Sequence, residues 1–252
     1  MDQQSILKIQ RPKFQLDGND VDIRENAMLT DKHIQMAQEL LHQQFPHIDG
    51  LLSPASGTAL QFSVMRKNFI QVLHTGGMHW VCVSNIGCRQ KNEVQLYDSL
   101  YRGISPFTKE QIAALLFIPD SDHIEVFIPA VDQQTNGTDC GVFAIALATA
   151  LCYKLDPTSL KFNRRAMRAH VWNSLQNGIG IFPFDETSKN GLERADTIRV
   201  YCDCRLPYNP SRDQMAKCAY CNKWFHQTSH KIANKVFKYQ RFWWTFNHCK
   251  LA

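Results

Sequence analysis

The chain reads as an α+β body followed by a small metal-binding module, on three observations. Apolar periodicity runs from a helical pattern, through several short alternating stretches, and back to helical patterns, an order expected of helices packed on a mainly antiparallel sheet. The nine cysteines are unevenly placed: Cys82, Cys88, Cys140 and Cys152 are scattered, whereas Cys202, Cys204, Cys218, Cys221 and Cys249 crowd the last fifth. Charge divides at the same place. From Asp196 onward ten Lys or Arg stand against three Asp or Glu, which is +7, so the first 195 residues carry −2 of the net +5. Periodicity lapses near Ser188–Gly191, which gives an extended arm at 1–27, a body at 28–187, a linker at 188–198 and a module at 199–252.

Within the body, Thr30 is an expected N-cap, and Ile34, Ala37, Leu41 and Phe45 form one apolar stripe before Pro46, so a helix is predicted there. Ser53 to Gly57 reads as loop. Phe69–Leu73 and Met78–Val83 alternate as strands on either side of Gly76-Gly77, a hairpin signal. Glu93–Tyr97 is a third strand, ending at Asp98. Thr108–Leu116 reads as a short helix and Ile124–Ile128 as another strand. The polar loop Gln133–Asp139 then delivers Cys140 to the start of an almost wholly apolar helix, and Asp156-Pro157 is expected to open a basic helix running through Leu175.

Cys140 at a helix start is a candidate nucleophile, because the positive end of the macrodipole and unpaired N–H groups favour the thiolate. A base and an orienting carboxylate could come from His79 and Asp98 at the ends of neighbouring strands. Gln134 could donate its amide to a developing oxyanion beside the Cys140 N–H.

These residues carry a resemblance. His79-Trp80, then Tyr97-Asp98-Ser99-Leu100, then Gln133-Gln134-Thr135-Asn136-Gly137-Thr138-Asp139-Cys140-Gly141 resemble the Ulp-type cysteine proteases, which mature and remove SUMO and other ubiquitin-like proteins on a papain-like fold. The likeness spans about residues 28 to 185, and Leu29-Thr30-Asp31 is similar to the end of the family's Trp-Leu-Asn-Asp opening. It implies Cys140 as nucleophile, His79 as base, Asp98 as orienter and Gln134 as oxyanion donor. It also implies a channel for the Gly-Gly tail of the substrate, with Trp80 as one wall and Met28 standing where the family has its opening Trp. The expected activity is hydrolysis of a peptide or isopeptide bond after Gly-Gly. Two other classes use the same residues: a catalytically silent adaptor that binds ubiquitin-like proteins, and a Cys-His acyltransferase.

In the tail, Cys202-x-Cys204, thirteen residues, Cys218-x-x-Cys221, four residues and His226 have the spacing of zinc ligands. The pattern resembles a PHD finger that has lost two ligands: Ser229 and Phe246 stand at the sixth and seventh positions, and Cys249 at the eighth. The resemblance implies one set of Cys202, Cys204 and His226 and another of Cys218, Cys221 and Cys249, with His230 or His248 as substitutes for the missing ligands and structural zinc as cofactor. All of these lie past the expected boundary, so chelation is expected to loosen the tail alone. The basic tail could meet an acidic or chromatin partner. No apolar run of about 18 residues and no basic-then-apolar leader is present, so the expectation is a soluble protein of the nucleus or cytoplasm without a membrane partner.

Overall fold

The computed structural model describes residues 23–24, 26–185, 194–238 and 244–250, without the side chains of 194–196, 248 and 250. Most of the expected arm and the expected boundary therefore lie outside the described residues.

The chain forms an α+β fold. In order, it runs α1 (Asp31–Gln44), β1 (Asp49–Gly50), α2 (Pro54–Thr58), β2 (Phe69–His74), β3 (Trp80–Ser84), β4 (Glu93–Tyr97), α3 (Pro106–Leu116), β5 (His123–Ile128), α4 (Cys140–Cys152) and α5 (Arg164–Asn177). The tail adds β6 (Arg194–Tyr201), β7 (Leu206–Pro207), β8 (Met215–Lys217), β9 (Trp224–His226), α6 (Gln227–His230) and α7 (Lys235–Lys238). Strands β1 to β7 lie in sequence order in one sheet, and β8 and β9 form a separate pair.

Side-chain alternation divides the body into two layers. Ile70, Val72, Trp80, Cys82 and Tyr97 point to the face covered by α1, α4 and α5, while Phe69, Leu73, Val81, Val83, Val94 and Leu96 point to the face covered by α3. Helix α4 is buried along its whole length. Its apolar side chains contribute roughly 1.5–3 kcal/mol each for the larger residues such as Phe143 and Leu147. That burial fixes the helix against the sheet and leaves Cys140 no freedom to drift.

Several sequence expectations change. The sheet is mixed: β4 and β5 pair in parallel, as do β1 and β2. Strand β3 starts at Trp80, not Met78, because Met78 takes a left-handed φ of 45° in the turn and is left exposed. Ser53 caps a short helix where a loop is expected, with its Oγ accepting the Ala55 N–H. The helix expected from Asp156-Pro157 is two elements. Asp156 caps only a 3-10 turn at Pro157–Ser159, and α5 begins afresh at Arg164 after Leu160 and Asn163 leave the helical region.

The largest difference concerns the linker. Residues 194–198 form the first part of β6, which pairs antiparallel with β5 from His123↔Arg199 to Ile128↔Arg194. The body's sheet thus continues into the tail. Arg212 of the tail reaches Glu110 on α3, and Asn209 Nδ2 lies 3.4 Å from the same carboxylate. Glu110 is fully buried. A buried carboxylate needs a partner, and here the tail supplies it.

Candidate active site

The loop between β2 and β3 presents His79. The Thr75 N–H donates to the His79 carbonyl at 2.9 Å and closes this loop, and Gly76 adopts a φ of 83° that a side chain would strain. Helix α3 pins the same loop from outside: the Ser105 hydroxyl donates to the Thr75 carbonyl and the Gln111 amide to the His74 carbonyl, each at 2.8 Å. Asp98 follows β4 directly. Its Oδ1 accepts the Leu100 N–H at 2.8 Å and its Oδ2 the Arg102 N–H at 3.0 Å, so the carboxylate is set before it meets histidine.

Pairing of β3 with β4 brings the two together, with Cys82 opposite Tyr97 and His79 Nε2 2.7 Å from Asp98 Oδ1. The other ring nitrogen, Nδ1, is buried and has no hydrogen-bond partner among the described residues. Cys140 is nonetheless close enough to favour the imidazolium. The ring therefore gives one nitrogen to Asp98 and keeps the other free of a partner among the described residues, close to Cys140.

Burial disfavours the charged ring, but Asp98 and Cys140 outweigh it and lift His79 from 6.5 to about 9. Burial likewise opposes ionisation of Asp98, yet the His79 contact and the Leu100 and Arg102 N–H groups hold its carboxyl below the ordinary range. The raised histidine contributes stability that is full below about 6.5 and lost as pH rises through about 9. The lowered aspartate contributes stability that is present above about 3.8 and lost as pH falls further. Chemical denaturation across pH should show a plateau between those limits and a fall of about 3 kcal/mol on the alkaline side. Asp98→Asn should flatten both slopes. An alkaline slope unchanged in that variant would mean that the pair does not set it.

Gln134 is buried, with its Oε1 accepting the Ser99 hydroxyl at 2.6 Å and its Nε2 donating to the Asn136 carbonyl at 2.7 Å. One amide hydrogen remains for another acceptor. Neither Ser99 nor Asn136 stands out as a positioning residue from sequence alone.

Trp80 is deeply buried. It is 2% exposed, its indole N–H donates to the Leu29 carbonyl at 3.1 Å, and its ring meets the edge of His74. Met28 is half-buried against the same core. Leu29 packs so tightly on Gly141 that a Cβ there would lie 2.8 Å from Leu29 Cβ. With Cys140 at 0% and His79 at 3% exposure, the site is closed in this structure.

No family model matches the chain. Over 43 residues it is 42% identical to the chromatin remodeling protein SHL of Arabidopsis thaliana and 40% identical to the chromatin remodeling protein EBS of the same plant. The chain spans 18% of the length of each of these relatives, and the match takes in 17% of the chain. Among solved structures it is similar to the C-terminal Ulp1 protease domain in complex with Smt3, the yeast ortholog of SUMO. That likeness has a TM-score of 0.47 and 13% identity and covers 62% of this chain and 79% of that one. It is also similar to the Xanthomonas campestris effector XopD bound to ubiquitin, with a TM-score of 0.45 and 14% identity, over 63% of this chain and 96% of that one.

The tail holds two further clusters. Cys202, Cys204 and His226 form one, Cys218, Cys221 and Cys249 the other, each with its ligand atoms within 4.8 Å of one another. Cys202 and Cys204 Sγ lie 3.0 Å apart and 3.3 and 3.2 Å from His226 Nδ1, while His226 Nε2 is turned to the Pro207 carbonyl. Hydrogen bonding from Cys202 is the main influence that holds Cys204 low, at about 3. In the second cluster burial opposes the thiolate, but N–H groups of Cys221, Phe246 and Tyr220 bring Cys218 to about 7. One thiol in each cluster is held low, while Cys202 is pushed up by Cys204 and Cys249 by burial and the neighbouring thiols, and the first cluster adds an imidazole nitrogen; thiols and imidazole at this spacing are ligands that suit zinc.

Ser229 stands beside Cys204. The Phe246 N–H donates to Cys218 Sγ at 3.3 Å, and its ring stacks on Phe225. His230 joins neither cluster; its ring packs edge-on against Phe225 and Phe246. The His248 side chain lies outside the described residues. Metal analysis of reduced protein purified without added zinc should find between about one and two equivalents, each ion held by three side chains. No metal at all would mean that the clusters are relics.

Proposed function

We propose that the chain is a cysteine peptidase that cuts the peptide or isopeptide bond after the C-terminal Gly-Gly of a ubiquitin-like modifier. The observation that carries this reading is the His79 ring held between Asp98 and Cys140 at the start of a fully buried helix. In this scheme the thiol proton already rests on His79 when sulfur attacks the scissile carbonyl, and the imidazolium then gives it to the departing amine. Water then attacks the thioester, giving its proton to His79, and the thiol is regenerated. Gln134 and the N–H groups of the first turn of α4 would stabilise the oxyanion. The order His, Asp, Gln, Cys and the string before Cys140 support the Ulp type. A modifier's flexible tail is the expected substrate because only a slim chain could displace Leu29 and pass between Trp80 and the nucleophile loop.

The tail supports a second role. Once loaded, zinc would tie β6 and the following turn to the segments around β9 and Cys249. The match to two chromatin remodeling proteins, 42% and 40% identical over 43 residues, is the size of one small module and too short for a peptidase body. We read the finger as a module that brings the peptidase to a nuclear partner. Incubation with a panel of modifier precursors and lysine-linked conjugates, with products weighed by mass spectrometry, tests the activity. Cleavage after Gly-Gly of at least one modifier is expected; no cleavage of any panel member would favour the adaptor.

A further inference from the structure

Asp139 occupies the N-cap of α4 and makes no capping bond there. An N-cap aspartate ordinarily bends its carboxylate back onto the free N–H groups of the first turn. This one is drawn away on both oxygens. Oδ2 accepts from Asn136 Nδ2 at 2.8 Å, and Oδ1 accepts from Arg168 Nε at 2.7 Å and Nη2 at 2.6 Å. The guanidinium has further bonds: Nη1 donates to the Ile23 carbonyl at 2.8 Å and Nη2 to the Thr138 carbonyl at 3.2 Å. Arg168 projects from α5, and its side chain is 13% exposed.

Two consequences follow for Cys140. A carboxylate one residue before a thiol disfavours the thiolate, and a paired guanidinium cancels that effect. A carboxylate diverted from the helix end leaves the first-turn N–H groups unspent, where an oxyanion could use them. A planar fork of donors can serve Asp139, Thr138 and Ile23 together; a lysine ammonium could not hold the same geometry.

We propose that Arg168 is a positioning residue for the nucleophile, holding the Asp139 carboxylate off the end of α4 and neutralising it beside Cys140. The inference rests on the peptidase reading for its role in turnover, but its electrostatic half can be tested without a substrate. The groups that bear on this helix end are His79, backed by Asp98, from the sheet, Asp139 from the loop, and Arg168 from α5.

The experiment uses the full chain as wild type, Arg168→Met, Arg168→Lys and the double variant Arg168→Met/Asp139→Asn. Iodoacetamide labelling of Cys140, followed by peptide mass mapping, is measured across pH. The midpoint is compared rather than the rate, because loss of the Ile23 bond also changes access. Arg168→Met should raise the midpoint, leaving about a tenfold smaller thiolate fraction at neutral pH, and the added Asp139→Asn should bring it back. Arg168→Lys should keep the wild-type midpoint yet lower kcat about tenfold with KM nearly unchanged, because charge remains and the fork is lost. A midpoint in Arg168→Met equal to wild type, or a double variant no lower than the single one, overturns the proposal. If Arg168→Met does not fold, the lysine variant decides: wild-type kcat in that protein overturns the positioning role. If wild type cuts no modifier while the midpoints move as stated, the peptidase reading fails and the Arg168 inference stands.

Discussion

Cys140→Ala should abolish cleavage of any modifier that the wild-type chain cuts, lowering kcat by at least about 10⁴-fold while KM changes little. The substitution removes a sulfur from a site that is 0% exposed and otherwise leaves the packing of α4 intact, so circular dichroism and the melting temperature should stay close to wild type. Asp98→Asn should cost less, because the carboxylate orients His79 and does not attack. Turnover by Cys140→Ala at the wild-type rate would move the nucleophile elsewhere. Cys82 and Cys152 are poor substitutes, since burial pushes both thiols up, Cys152 to about 12.

Arg212→Met should destabilise the body, although residue 212 belongs to the tail. Its partner Glu110 is fully buried on α3, where burial already pushes the carboxyl up and Arg212 and Asn209 hold it down. Removing one member of a buried pair can cost 3–5 kcal/mol; half of the Arg212 side chain faces water, which reduces the expected loss to about 2 kcal/mol. Denaturant unfolding followed at Trp80, inside the body core, reads it. Glu110→Leu added to Arg212→Met should recover most of the loss, because the uncompensated charge is gone. Asp213, which contacts Arg212, also lies 3.7 Å from His226 Nε2, so a metal on His226 is connected to the body through two side chains. Chelation is therefore expected to lower the stability of the body as well as the tail, contrary to what the sequence alone suggests.

The parts that were legible in sequence are those whose signal is local. The alternation of Glu93–Tyr97 gives its strand residue for residue, and Thr30 marks the start of α1. His79, Asp98 and Cys140 could be named because their chemistry is rare and each adjoins the boundary of an element whose period is plain. The two cysteine clusters are the sets that the resemblance to a PHD finger implies. What stayed hidden depends on partners distant in sequence. Nothing near Arg194–Tyr201 announces that it will pair with β5, since a short polar strand next to a charge change looks like a linker. Arg168 reads as one more cation on a basic helix; only the fold brings it 29 positions back to Asp139. The bond from the Trp80 indole to the Leu29 carbonyl also joins residues far apart in sequence.

The most direct test of the account is covalent capture. Modifier proteins ending in Gly-Gly and carrying an electrophile in place of the scissile carbonyl are incubated with wild-type chain, His79→Ala and Cys140→Ala, and the adducts are mapped by mass spectrometry. The account predicts one adduct in wild type, on Cys140, slowed by about 10²-fold or more in His79→Ala and absent from Cys140→Ala. Adducts on tail cysteines alone, or a Cys140 adduct formed as fast without His79 as with it, would contradict it.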